Sequence, residues 1–214
     1  NEMELINARF TDTDNFIPMT DSFLKSHGFP ESELTPPEIQ LPLNDNLSEV
    51  VPDVLLHGGE EIPVGRYTLR VVNTPGHTPG GIVLYEPDKK FLFSGDTLLP
   101  SIHTNAALHV QHIKFPLEKY LKSLLALREM DIDLILPGHE HIFSGHRDRI
   151  DEIIQHHEKK SAEILEAFRD KNPKTAYEVS RILAWSPKTK TNIWDSLTGW
   201  DKRFAVLLAI AHLE

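Results

Sequence analysis

The sequence predicts an α/β domain followed by a helical C-terminal extension. Three observations carry that prediction. Short apolar runs at Tyr67–Asn73, Ile82–Tyr85, Lys90–Phe93 and Ile132–Leu136 have strand length and are punctuated by glycine and proline. Between the third and fourth runs, Leu117, Tyr120, Leu121, Leu124 and Met130 share one helical face, so a helix joins two strands. From His146 to the end, apolar residues recur at the helical period and strands give way to helices. Strand–helix–strand alternation of this kind lays helices against a sheet face.

Taken in order, residues 1–48 read as helices and loops. An amphipathic start puts Met3, Ile6 and Phe10 on one face. Thr20-Asp21 can cap a short helix ending at Gly28, and Pro36-Pro37 and Pro42 mark an extended connector. The plain reading of this part is a helical crossover between sheets; the sharper one is a lid over a site. Residues 53–98 read as β. Gly58-Gly59 and Val64-Gly65 punctuate the first strands, and Tyr67, Leu69 and Val71 alternate with Thr68 and Arg70. Glu86-Pro87-Asp88-Lys89 turns Ile82–Tyr85 back onto Lys90–Phe93 as a hairpin. A helix over Pro116–Met130 starts with proline in its first turn. A long helix over His146–Lys171 carries Ile150, Ile153, Ile154, His157, Ile164, Leu165 and Phe168, and Asn172-Pro173 ends it. Thr175-Ala176-Tyr177-Glu178 is a capping box for a helix reaching Leu183, and Trp200–Leu213 is a last amphipathic helix.

Composition narrows the function classes. With 214 residues and 40% hydrophobic content, the chain can bury a sizeable core. No apolar run approaches the roughly 20 residues that span a bilayer, so no membrane partner is expected. There is no cysteine, which excludes disulfides, thiolate zinc clusters and a cysteine nucleophile and fits a cytoplasmic protein. The net charge of −10 argues against a general nucleic-acid surface. It is uneven: residues 1–145 hold 10 Lys and Arg against 21 Asp and Glu, whereas residues 146–214 hold 12 against 11.

Three loops share one design. Thr74-Pro75-Gly76-His77-Thr78-Pro79-Gly80-Gly81, Ser94-Gly95-Asp96-Thr97 and Leu136-Pro137-Gly138-His139 each follow an apolar strand. In each, a glycine tightens the turn before one side chain able to bind metal. Singly these are weak signals, because histidines after Pro-Gly and aspartates after glycine are common in turns. Together, ligands converging from rigid strand ends are what a metal site needs.

In order and spacing, His77, Asp96 and His139 resemble the downstream half of the metal site of the metallo-β-lactamase superfamily. The resemblance runs from about Val64 to the C-terminus. It implies an αββα sandwich in which His77 completes a first zinc site, Asp96 bridges two metals and His139 completes a second. It also implies hydrolysis of ester, thioester or phosphodiester bonds, with zinc lowering the pKa of water from ~15.7 to about 7. His and carboxylate donors suit manganese or iron as well. No Gly-x-Ser-x-Gly elbow competes for the role of nucleophile. β-Lactam hydrolysis is disfavoured, because that branch typically has Cys where Asp96 stands. The C-terminal helices, with Trp194-Asp195 and Ala211-His212-Leu213-Glu214, resemble the winged-helix-like extension of the β-lactamase-like protein 2 subgroup. This divides the chain into 1–145, part of the hydrolase domain, and 146–214, the extension.

The sequence departs from the family in one respect: its upstream His-x-His-x-Asp-His motif is absent. The expectation is therefore a C-terminal part of a longer protein, with the sandwich incomplete, metal weak or absent, and little activity in isolation. A preceding segment or a second copy would cover the open sheet face. The alternative is a non-catalytic binding module acting through the C-terminal helices. Of the other histidines, His141 or His146 could orient a ligand from behind His139. His103, His109 and His112 could contact substrate, although solvated loop positions are the plainer reading. Lys174, Arg181, Lys188 and Lys190 against Glu178 form a basic patch, read as a solvated face or as an RNA-contacting wing.

Overall fold

The computed structural model describes residues 13–34, 51–107, 114–183, 185 and 193–214. The expected helix at Met3, Ile6 and Phe10, the proline connector, His109, His112 and the basic loop with Lys188 and Lys190 lie outside these.

Five strands form one sheet in the order β1-β2-β3-β4-β5: β1 (Glu61–Val64), β2 (Tyr67–Asn73), β3 (Ile82–Glu86), β4 (Phe91–Gly95) and β5 (Leu134–Pro137). The first four are antiparallel, with Val71 opposite Leu84 and Tyr85 opposite Leu92. β5 runs parallel to β4 and places Ile135 beside Leu92. A parallel neighbour needs a crossover, and helix α2 (Pro116–Arg128) supplies it. β5 starts two residues later than the apolar run. The backbone amides of Asp133 and Leu134 are already turned onto the Lys90 carbonyl, and Ile132 packs into the core from the preceding loop.

Alternation sorts the side chains onto two faces. Val83, Tyr85, Leu92 and Ile135 point to one side and join Leu117, Tyr120, Leu124 and Leu127 of α2 in the main core. On the other side lie Leu69, Leu84, Phe93 and Leu136, none of them part of that core; Phe93 is 40% exposed.

Helix α3 (His146–Ala167) contributes Ile150 and Ile153 to the main core, and α5 (Gly199–Leu213) contributes Ala211. Packing thus runs continuously across residue 145. A second cluster joins Leu24 and Phe29 to Tyr177, Trp194, Val206 and Ile210. It seats α1 (Thr13–Ser26) on α5, where Asp21 pairs with the buried Arg203. Helix α1 starts earlier than its sequence suggests. Thr20 is not a cap; it sits mid-helix and donates its hydroxyl to the Phe16 carbonyl at 2.9 Å. Gly28, at φ +90°, ends the turn that follows.

α4 (Ala176–Ile182) has the expected Thr175–Glu178 capping box. A second box, Thr198–Asp201, opens α5 two residues before the expected start at Trp200 is reached. α2 and α3 stop short of the expected Met130 and Lys171. Among the described residues no helix is long and apolar enough to cross a membrane.

Candidate metal centre

The three ligand loops lie at one end of the sheet because β2, β4 and β5 end there. Glycine lets them close. Gly76 adopts φ +143°, and a Cβ there would overlap the backbone of Tyr120 on α2. Gly138 has a different reason: its added Cβ would lie 2.8 Å from Asp96 Oδ1. Gly138 also donates its amide to the Gly95 carbonyl at 2.9 Å, which clips the Asp96 and His139 loops together. The hydroxyls of Thr74 and Thr97 meet at 3.0 Å in the interior and clip the His77 and Asp96 loops.

These contacts bring His77, Asp96 and His139 together. His77 Nε2 lies 3.6 Å from Asp96 Oδ2, and His139 Nε2 lies 3.4 Å from Asp96 Oδ1. Each imidazole thus faces a different oxygen of one carboxylate. His77 Nδ1 is 2.7 Å from the Asn105 carbonyl. A carbonyl only accepts, so Nδ1 carries a proton, and Nε2 is the ring atom that faces Asp96. Among the described residues, no three His, Cys, Asp or Glu side chains close on a single ion. His77, Asp96 and His139 are nonetheless donor types that suit divalent metals.

The segment after Asp96 supports all three loops. Thr104 donates its hydroxyl to the Asp96 carbonyl at 2.6 Å. Glu140, next to His139 and at φ +69°, accepts the amides of Ser101 and Ile102 at 3.0 and 3.1 Å. It also accepts the Ser101 hydroxyl, and that bond is the foremost reason its pKa is lowered.

Residues 19–139, more than half of the sequence, match the metallo-beta-lactamase superfamily. The chain belongs to this superfamily. It is 29% identical over 130 residues to the Beta-lactamase-like protein 2 homolog of Caenorhabditis elegans, covering 60% of this chain and 41% of that protein. A shorter match, 50% over 46 residues, links it to hydroxyacylglutathione hydrolase of Brucella ovis, covering 22% of this chain and 18% of that enzyme. In structure it resembles a metallo-beta-lactamase family protein from Thermus thermophilus. There the TM-score is 0.77 with 25% identity, over 97% of this chain and 61% of the other. A Beta-lactamase domain protein from Burkholderia ambifaria gives 0.63 with 32% identity, over 77% and 47%. The chain thus spans less than two thirds of the length of each of these relatives. The mixed α/β architecture is of the metallo-beta-lactamase type.

Of the remaining histidines, His146 and His103 fall elsewhere than expected, whereas the mid-helix His156 and His157 pack as their position suggests. His146 is buried at the start of α3, 3.2 Å from the Met130 carbonyl, and burial lowers its pKa. It anchors a helix instead of orienting a ligand. His141 is exposed. His103 is not a solvated loop residue: its ring stacks on His156 at 3.9 Å and 14°, with Nε2 buried. His156 and His157 belong with His212 to the same cluster. His157 Nδ1 is 3.3 Å from His212 Nε2, and His212 Nδ1 is 2.9 Å from the Ser161 hydroxyl. The helical period marks His157 as a packing position, but no sequence signal joins the cluster, because its members come from a loop and two helices about 50 residues apart.

Proposed function

We propose that the chain carries the bridging part of a dinuclear metal centre, with zinc as the metal, in a hydrolase of acyl thioesters. The observation that carries this reading is one carboxylate addressed by two imidazoles on its two separate oxygens. The donors are compatible with manganese and iron as well. Bound metal supplies an activated water nucleophile and offsets charge that develops on the substrate oxygen. The chain's own residues hold that chemistry in place. Asp96 spans the two positions, His77 is fixed in one tautomer by the Asn105 carbonyl, and Thr104 fixes the Asp96 backbone. The match to a hydroxyacylglutathione hydrolase supports thioesters over other acyl substrates.

One imidazole and a shared carboxylate fall short of the three protein ligands usual for catalytic zinc. We therefore place the remaining ligands outside these three residues, on a preceding segment or a second copy that also covers the Leu84–Phe93 face. The test compares zinc-loaded protein with and without such a segment, on an acylglutathione thioester and on single-stranded RNA. Metal-dependent thioester turnover that requires the segment and disappears in Asp96→Asn is the expected result. RNA cleavage in its place would move the substrate class to phosphodiesters. Turnover of neither substrate would contradict the hydrolase reading and favour a non-catalytic module.

A further inference from the structure

The contacts of residues 99–105 point to a function beyond loop closure. Arg149, buried on α3, donates Nε to the Leu99 carbonyl and Nη2 to the Ile102 carbonyl, each at 2.8 Å. One residue further on, His103 lays its ring on His156 of the same helix. The next two residues then reach the ligands: Thr104 holds the Asp96 backbone and Asn105 holds the His77 ring. Earlier in the segment, Ser101 and Ile102 hold Glu140 beside His139. One side of this strap grips α3, and the other touches all three ligand loops.

The grip extends into the C-terminal helices. His156 adjoins His157 edge-on at 5.4 Å, and His157 meets His212 of α5. Stacked and edge-on contacts are favoured geometries for flat rings, and the His103 stack adds one such contact to the two Arg149 bonds that hold the strap on the helix.

We infer that His103 is a positioning residue for the metal centre, and that its stack on His156 lets helices α3 and α5 set the spacing of His77, Asp96 and His139. The inference rests on the proposed metal reading. What His103 contributes is its flat ring, since Nε2 makes no hydrogen bond. An aromatic replacement should therefore serve and a small one should not.

The test uses the 214-residue chain in three forms: wild type, His103→Phe and His103→Ala. Co2+ titration followed by visible absorption reads affinity and ligand field. Ring-nitrogen NMR reads the His77 Nδ1–H that Asn105 accepts. His103→Ala should weaken Co2+ binding by about 10-fold or more, the usual effect of losing outer support for a ligand, and should broaden or shift the His77 signal. His103→Phe should restore both. Wild-type behaviour in His103→Ala, or equal loss in both variants, would overturn the assignment. If wild type takes up no Co2+ even with the segment that supplies the remaining ligands added, the metal reading fails. The His77 signal still decides the strap: loss in His103→Ala with retention in His103→Phe upholds it, and no change in either variant removes it.

Discussion

Two groups of histidines in this molecule meet opposite fates. His77 and His139 sit at the sheet end with side chains 34% and 66% exposed, each opposite a carboxylate oxygen. His156, His157 and His212 lie between α3 and α5, where rings face rings; His157 is only 4% exposed. Burial, joined by neighbouring positive charge, pushes their pKa values down to about 4, 3 and 4. The contrast shows that what replaces water around an imidazole decides its use. Beside a carboxylate, on the function proposed above, it serves as a donor for a cation. Among other rings it is a neutral packing element with an inbuilt intolerance of acid.

The sharpest way to break the first half of this contrast is Asp96→Asn, which keeps the shape and removes the shared charge. Zinc affinity by equilibrium dialysis should fall by at least ~100-fold, the upper end of what loss of supporting interactions costs. Retained affinity would mean that the two imidazoles do not depend on Asp96.

Acid should break the second half. Unfolded histidines titrate near 6.5, so between pH 6.5 and about 3 the unfolded chain binds more protons than the folded one. Stability from these rings is fully present above pH 6.5 and is lost as pH falls through 4 toward 3. The charged groups around them are Lys159, Lys160 and Glu163 on α3, with Glu152 and Arg149 one and two turns earlier. At about 1.4 kcal/mol per unit, the buried His157 alone should cost the fold on the order of 3 kcal/mol by pH 4, read by urea unfolding at several pH values. His157→Phe should flatten that dependence; an unchanged slope would show that the ring does not carry it.

Two glycines separate folding from ligand geometry. Gly76→Ala forces a Cβ into the backbone of Tyr120 and should cost about 2–3 kcal/mol of stability. Gly138→Ala presses on Asp96 Oδ1 instead, and should cost about 1 kcal/mol while lowering zinc affinity more than Gly76→Ala does. Thr198→Ala, remote from both histidine groups, should lower stability by about 1 kcal/mol through loss of its cap and leave zinc affinity unchanged.

Much of the metal end is legible in the sequence because its signals are local. Strand, glycine and ligand follow one another within a few residues in all three loops, and Gly76 and Gly138 prove to be required by close approach. The Thr175–Glu178 box is equally local and forms as its sequence implies. The strap and the histidine cluster are not legible, because they depend on which helix face lies against which loop. His103 reads as one of several loop residues, whereas its partner His156 is some fifty positions away on α3. Thr20 misleads for the opposite reason. A threonine before aspartate looks like a cap, yet the helix has already begun at Thr13, and the hydroxyl bonds back to Phe16.

Anomalous diffraction at the zinc edge, from crystals grown with Zn2+, would locate the ions themselves. Peaks are expected on both sides of the Asp96 carboxylate, one within bonding distance of His77 Nε2 and one within bonding distance of His139 Nε2. Zinc bound elsewhere in the chain, with no peak beside Asp96, would contradict that placement.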